Sequence, residues 1–101
     1  MDEVLSINLI TSNPKVRGGR PCIGGTGLRV TDIIMASIFQ MQTPEELAVG
    51  FGISLAQVHA AFAYYYEHQS ELDEDIHNQI LQSRAVREQH LANGNRPLLS
   101  R

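Results

Sequence analysis

The chemistry available to this chain lies in guanidinium, ammonium and amide groups, not in nucleophile–base pairs. Lys15, Arg17, Arg20 and Arg29 stand in a glycine-rich segment near one end, and Arg84 and Arg87 stand near the other. Ser54 and Gln57 open a short apolar-periodic stretch between them. Cations grouped in this way neutralise phosphates, or pair with carboxylates, where a guanidinium binds in bidentate fashion. Polar side chains at the start of a helix are the ones that reach base edges when that helix lies in a groove.

Catalytic readings fall away on spacing. Residues 19–26 approach a phosphate-binding loop, but Gly25 occupies the lysine position and Pro21 removes a backbone donor. His59, His68, His77 and His90 are never three or four residues apart, so no two share a helix face as metal ligands do. Cys22 has no sequence neighbour that would complete a site. Glu71, Asp73, Glu74 and Asp75 gather where a helix begins, and there they complement the macrodipole. Of Tyr64, Tyr65 and Tyr66, at most two can share a helix face, so packing is expected of them before base stacking. No enzyme activity, metal or cofactor is expected.

The net charge of −3 hides a strong partition. Residues 1–30 carry Lys15, Arg17, Arg20 and Arg29 against Asp2 and Glu3. Residues 31–75 carry Asp32, Glu45, Glu46, Glu67, Glu71, Asp73, Glu74 and Asp75 without a Lys or Arg. Residues 76–101 carry Arg84, Arg87, Arg96 and Arg101 against Glu88. Attraction for polyanions therefore belongs to the two ends, and the centre repels phosphates. A length of 101 residues with 43% apolar content suits one small domain with tails. No run is apolar for long enough to span a membrane, the acidic start is unlike a secretion signal, and one cysteine permits no internal disulfide. A cytoplasmic protein is expected.

The elements that must position these groups can be read in order. Residues 5–11 alternate apolar and polar side chains and predict a short half-buried strand. Residues 13–30 hold five of the eight glycines and two of the four prolines, which excludes a helix interior and predicts short extended pieces joined by tight turns. Thr31 or Asp32 can cap a helix with Ile33, Ile34, Ile38 and Met41 on its apolar face. Thr43-Pro44-Glu45-Glu46 is a capping box with proline at the first helical position, and Gly52 suits the left-handed stop. Ser54-Leu55-Ala56-Gln57 starts the next helix, carrying Leu55, Val58, Phe62 and Tyr65 at helical spacing. Two helices joined by a short glycine-containing turn form a helix-turn-helix. Ser70-Glu71-Leu72-Asp73 then opens an amphipathic helix to about Ala92, with Leu72, Ile76 and Ile80 at successive steps of four. Asn93-Gly94-Asn95-Arg96-Pro97 ends it.

The fold expected is therefore mainly α: a short N-terminal β segment, a trihelical helix-turn-helix core and a C-terminal amphipathic helix. Its organisation is residues 1–30 as a β and glycine-rich clamp, 31–69 as the core, 70–92 as a partner-binding helix and 93–101 as a loose tail.

Several of these pieces resemble a known family. Pro14, Gly18-Gly19-Arg20-Pro21-Cys22-Ile23, Gly25-Thr26 and Val30 carry the likeness in the clamp. Thr43-Pro44-Glu45-Glu46-Leu47-Ala48 and Leu55-Ala56-Gln57-Val58-His59-Ala60-Ala61 carry it in the helices. In order and spacing they are similar to the domain-of-unknown-function family 433, whose members are similar to VapB-type antitoxins, over about residues 7–76. The resemblance implies a homeodomain-like core and a toxin–antitoxin role, in which the antitoxin pairs with a PIN-like ribonuclease that cuts with metal-binding carboxylates. It also implies contact with operator DNA. Many family members carry Gly-Thr-Arg where this chain has Gly25-Thr26-Gly27, and here the basic residue is displaced to Arg29.

Together these features predict a non-catalytic, homodimeric antitoxin-like protein. Lys15, Arg17, Arg20, Arg29, Ser54 and Gln57 would contact operator DNA. Leu72, Ile76, Ile80, Leu81, Arg84 and Arg87 would dock on the ribonuclease toxin. The rival readings are a stand-alone helix-turn-helix regulator and a docking or dimerisation module without nucleic-acid contact.

Overall fold

The computed structural model describes residues 2–92. They fall into two compact units, divided between Gln69 and Ser70. The first begins with β1 (Ile10–Thr11), a 3-10 turn at Arg17–Gly19 and β2 (Cys22–Ile23). Three helices follow, α1 (Val30–Phe39), α2 (Pro44–Phe51) and α3 (Leu55–Glu67). The long helix α4 (Gln69–Ala92) supplies the second. The tail predicted over residues 93–101 lies outside the described residues.

The helix starts obey their local chemistry. Thr43 Oγ1 accepts from the Glu46 backbone N–H at 3.2 Å, and the Glu46 carboxylate accepts from the Thr43 N–H at 2.8 Å. Ser54 and Gln57 repeat that reciprocal arrangement at 3.1 and 2.7 Å. Each box satisfies two donors that a helix start otherwise leaves unpaired. Between them Gly52 takes φ +69°, the left-handed stop that glycine adopts without a Cβ penalty. The chain bends by 115° from α2 to α3, within the range of helix-turn-helix pairs.

The core of this unit sits where α1, α2 and α3 meet, with β1 against α3. Ile23, Val30, Ile33, Leu47, Val58 and Ala61 are fully buried there. Each large aliphatic side chain so buried contributes about 1.5–3 kcal/mol. Among the described residues no single helix is long and apolar enough to cross a membrane.

Three expectations are corrected. The strand is confined to Ile10–Thr11, because β2 offers only Ile23 and Cys22 opposite them, with Gly24 just beyond it donating to the Leu9 carbonyl, and Leu5 and Ile7 are left exposed. Helix α1 starts two or three residues earlier than a cap at Thr31 or Asp32 would place it, with Arg29 at its N-cap and Asp32 closing the cap from the third position. Ile38 lies within α1 but is exposed; the helix ends at Phe39, leaving Met41 beyond it, exposed and with left-handed backbone (φ +53°). The stripe of α3 is Val58, Ala61 and Tyr65, whereas Leu55 is exposed.

Candidate nucleic-acid and partner interfaces

The clamp is a set of nested turns closed by side chains. Asn13 accepts the Lys15 N–H on its side-chain oxygen at 2.9 Å and the Val16 N–H on its carbonyl at 2.8 Å. Arg17 (φ +50°), Gly18 (φ +67°) and Gly19 (φ +83°) then run in left-handed backbone, a conformation that favours glycine. Ser12 Oγ donates to the Gly19 carbonyl at 2.6 Å and ties the end of this turn to β1. Thr26 organises the second turn: its hydroxyl donates to the Ile23 carbonyl at 2.8 Å and accepts the Leu28 N–H at 3.0 Å. Arg17 joins the two turns, its Nη1 donating to the Gly27 carbonyl at 3.3 Å. A shallow hollow of about 280 Å³ remains among Thr11, Asn13, Val16, Cys22 and Thr26.

The four clamp cations have different surroundings. Lys15, Arg17 and Arg20 are exposed. Arg29 is half-buried and grips Asp32, with Nη2 at 2.8 Å from Oδ1 and Nε at 3.2 Å from Oδ2. The same carboxylate accepts the Arg29 backbone N–H at 2.9 Å, so one aspartate both caps α1 and holds the guanidinium. Cys22 lies beneath the clamp, its thiol donating to the Arg20 carbonyl at 3.3 Å. Burial pushes that thiol above its ordinary pKa, outweighing the opposing pull of Arg17.

Ser54 and Gln57 stand at the exposed start of α3, but their side-chain oxygens already face the backbone of the cap. What remains for a ligand is the Gln57 Nε2 amide and the Ser54 hydroxyl proton. His59 is exposed two residues further on. At the far end of α3, His68 stacks on Tyr64 with ring centroids 4.0 Å apart, and its Nδ1 lies 3.0 Å from the Tyr64 carbonyl. Of the three tyrosines, Tyr65 enters the core and Tyr66 is exposed.

The segment from β1 through most of α3 decides the family. Over residues 10–65 the sequence matches the family model described as "Protein of unknown function (DUF433)". The chain belongs to the DUF433 family. No curated protein and no solved structure matches it. The DUF433 match takes in the clamp from Ile10, helices α1 and α2 and most of α3, and stops at Tyr65, short of the limit near residue 76 that the resemblance suggested. All of α4 therefore lies outside it.

The partner residues predicted on α4 divide into two groups. Leu72 and Ile76 are buried, at 4% and 7% exposure, and Ile80 is half-buried. From there every residue over 81–92 is exposed, including Leu81, Arg84, Arg87 and Leu91. Ile80, Arg84, Arg87 and Leu91 recur at i, i+4, i+7 and i+11, which places them on one stripe of the helix. Sequence reasoning missed Asp32 as the partner of Arg29, although the spacing of three on a helix start was available as a signal. It also missed Tyr64 against His68, a pair at i, i+4.

Proposed function

We propose that this DUF433 protein is a non-catalytic, antitoxin-like protein. It neutralises a PIN-like ribonuclease through the exposed half of α4 and contacts operator DNA through its helix-turn-helix unit. The observation that carries this reading is the stripe Arg84, Arg87 and Leu91, which continues from half-buried Ile80 along residues 81–92, all of them exposed. On that stretch Leu81 and Leu91, 45% and 51% exposed, flank the two arginines on one side of the helix, as the apolar anchors of a groove-docking helix do. Two guanidinium groups one turn apart complement the clustered carboxylates of a metal-dependent nuclease.

The DNA part rests on the 115° bend between α2 and α3 and on Lys15, Arg17 and Arg20, the exposed cations beside that unit. Arg29 contributes by fixing the start of α1, and Ser54 and Gln57 by shaping the start of α3. A homodimer doubles the charge presented to phosphates, and the cytoplasm is where operator and toxin would both be met.

The test is an inhibition assay with the purified product of the adjacent reading frame, followed by its RNA cleavage. Changing Arg84→Ala and Arg87→Ala together should weaken inhibition by about tenfold or more, since charge-assisted hydrogen bonds contribute about 1.5–3 kcal/mol each. Unchanged inhibition by the doubly substituted chain would remove this reading.

A further inference from the structure

The N-terminal stretch is unusually open for its composition. Val4, Leu5 and Ile7 are 89%, 85% and 79% exposed, and among the described residues none of the backbone groups of residues 2–8 enters a backbone hydrogen bond. Residues 4–12 carry no charge, and residues 4–13 hold no proline, so the devices that keep edge strands apart are absent. β1 is an edge strand, since β2 pairs with it on one side alone.

From these observations we propose that residues 4–10 pair antiparallel with the same residues of a second copy, extending the β1–β2 sheet across a two-fold axis. This gives the homodimer of the functional reading an interface, and it depends on neither the nuclease partner nor the operator DNA. The register follows from which edge is free. The Leu9 carbonyl accepts from the Gly24 N–H at 2.9 Å, so odd-numbered residues turn their backbone groups toward β2. Continuing that alternation upstream, Ser6, Asn8 and Ile10 turn theirs to the open edge. Two copies can then pair only where even residues face even ones and odd face odd.

Among such registers, one sets Leu5 opposite Leu9 and Ile7 opposite its own symmetry mate. It is self-complementary, as a two-fold interface must be. It gathers six large aliphatic side chains on one face and sets Ser6 opposite Asn8, flanked by Val4 opposite Ile10, on the other. Shifting either way by one step of two residues sets Glu3 against Leu9, or Thr11 against Leu5. The favoured register also lays Asp2 and Glu3 of one copy beside Thr11 and Ser12 of the other, just ahead of Lys15. The partner is thus a second copy of this chain.

The self-pairing of Ile7 makes the proposal testable by charge exchange. Its exposure means that Ile7→Lys and Ile7→Asp should leave the urea unfolding midpoint of the monomer unchanged, and this is the control. In sedimentation equilibrium the unaltered chain should show a monomer–dimer equilibrium. Each variant alone should weaken it by roughly tenfold, because like charges then face each other. An equimolar mixture of the two should restore the dimer. A monomeric unaltered chain, or variants that dimerise undiminished, would overturn the proposal. A mixture that stays monomeric would overturn the register.

Discussion

The carboxylate of Asp32 offers the sharpest quantitative test of how the clamp is joined to the core. Asp32→Ala removes three interactions together: the N–H of Arg29 loses its cap, and Nε and Nη2 of the same residue lose their acceptor. Loss of a cap costs about 1 kcal/mol. A charge-assisted pair adds about 1.5–3 kcal/mol at full strength. Exposures of 17% and 21% let water screen part of that, so the pair is discounted to about 1 kcal/mol here. The sum, about 2 kcal/mol, lowers the melting temperature of a domain this size by roughly 8–16 °C. Asp32→Asn keeps an acceptor for the backbone and should lose about half as much. Urea unfolding followed by helical circular dichroism measures both. The double-mutant cycle with Arg29→Ala should return a coupling of about 1 kcal/mol. A change below about 0.5 kcal/mol for Asp32→Ala, typical of unremarkable surface sites, would refute the reasoning.

Two glycines of the same turn should respond in opposite senses. Gly25 has φ +76°, so Gly25→Ala should destabilise by about 1–2 kcal/mol. Gly27 lies outside the left-handed region with open space around it, so Gly27→Ala should stabilise by about 0.4–1 kcal/mol. Parallel thermal melts decide between them. For α2, the hydrogen bond from the Thr43 N–H holds the Glu46 carboxyl below its usual 4.5. Its contribution is therefore present above pH 4.5 and is lost as the pH falls through the depressed value. The unfolding midpoint of Glu46→Gln should sit below that of the unaltered chain at pH 6, with the gap closing toward pH 3.

Much of the fold could be read from residues whose effects are local. Thr43 with Glu46, and Ser54 with Gln57, announce helix starts through side chains that reach only three residues along the chain, and Gly52 announces a stop in the same way. The strand was misjudged because alternation in residues 5–11 says that a pleated surface is available, not that a partner exists. β2 is two residues long, so the remaining alternation is unpaired within one chain. Ile38 and Met41 differ from expectation for a related reason: spacing places them on a face, but Ile38 in the last turn of α1 meets no covering element and Met41 lies past the end at Phe39. The site was less legible than the fold. That Arg29 would be occupied by Asp32, and that the cap would engage Ser54 and Gln57, depends on where side chains turn, which residue type alone leaves open.

The exposed half of α4 is the surface proposed to hold a nuclease partner. Backbone hydrogen exchange on the full chain, with and without the purified ribonuclease, tests it most directly. Strong slowing is expected over residues 80–92 on complex formation, with the amides of α1 and α3 little changed. Protection confined to the clamp or the helix-turn-helix, with residues 80–92 exchanging as fast as in the free chain, would contradict it.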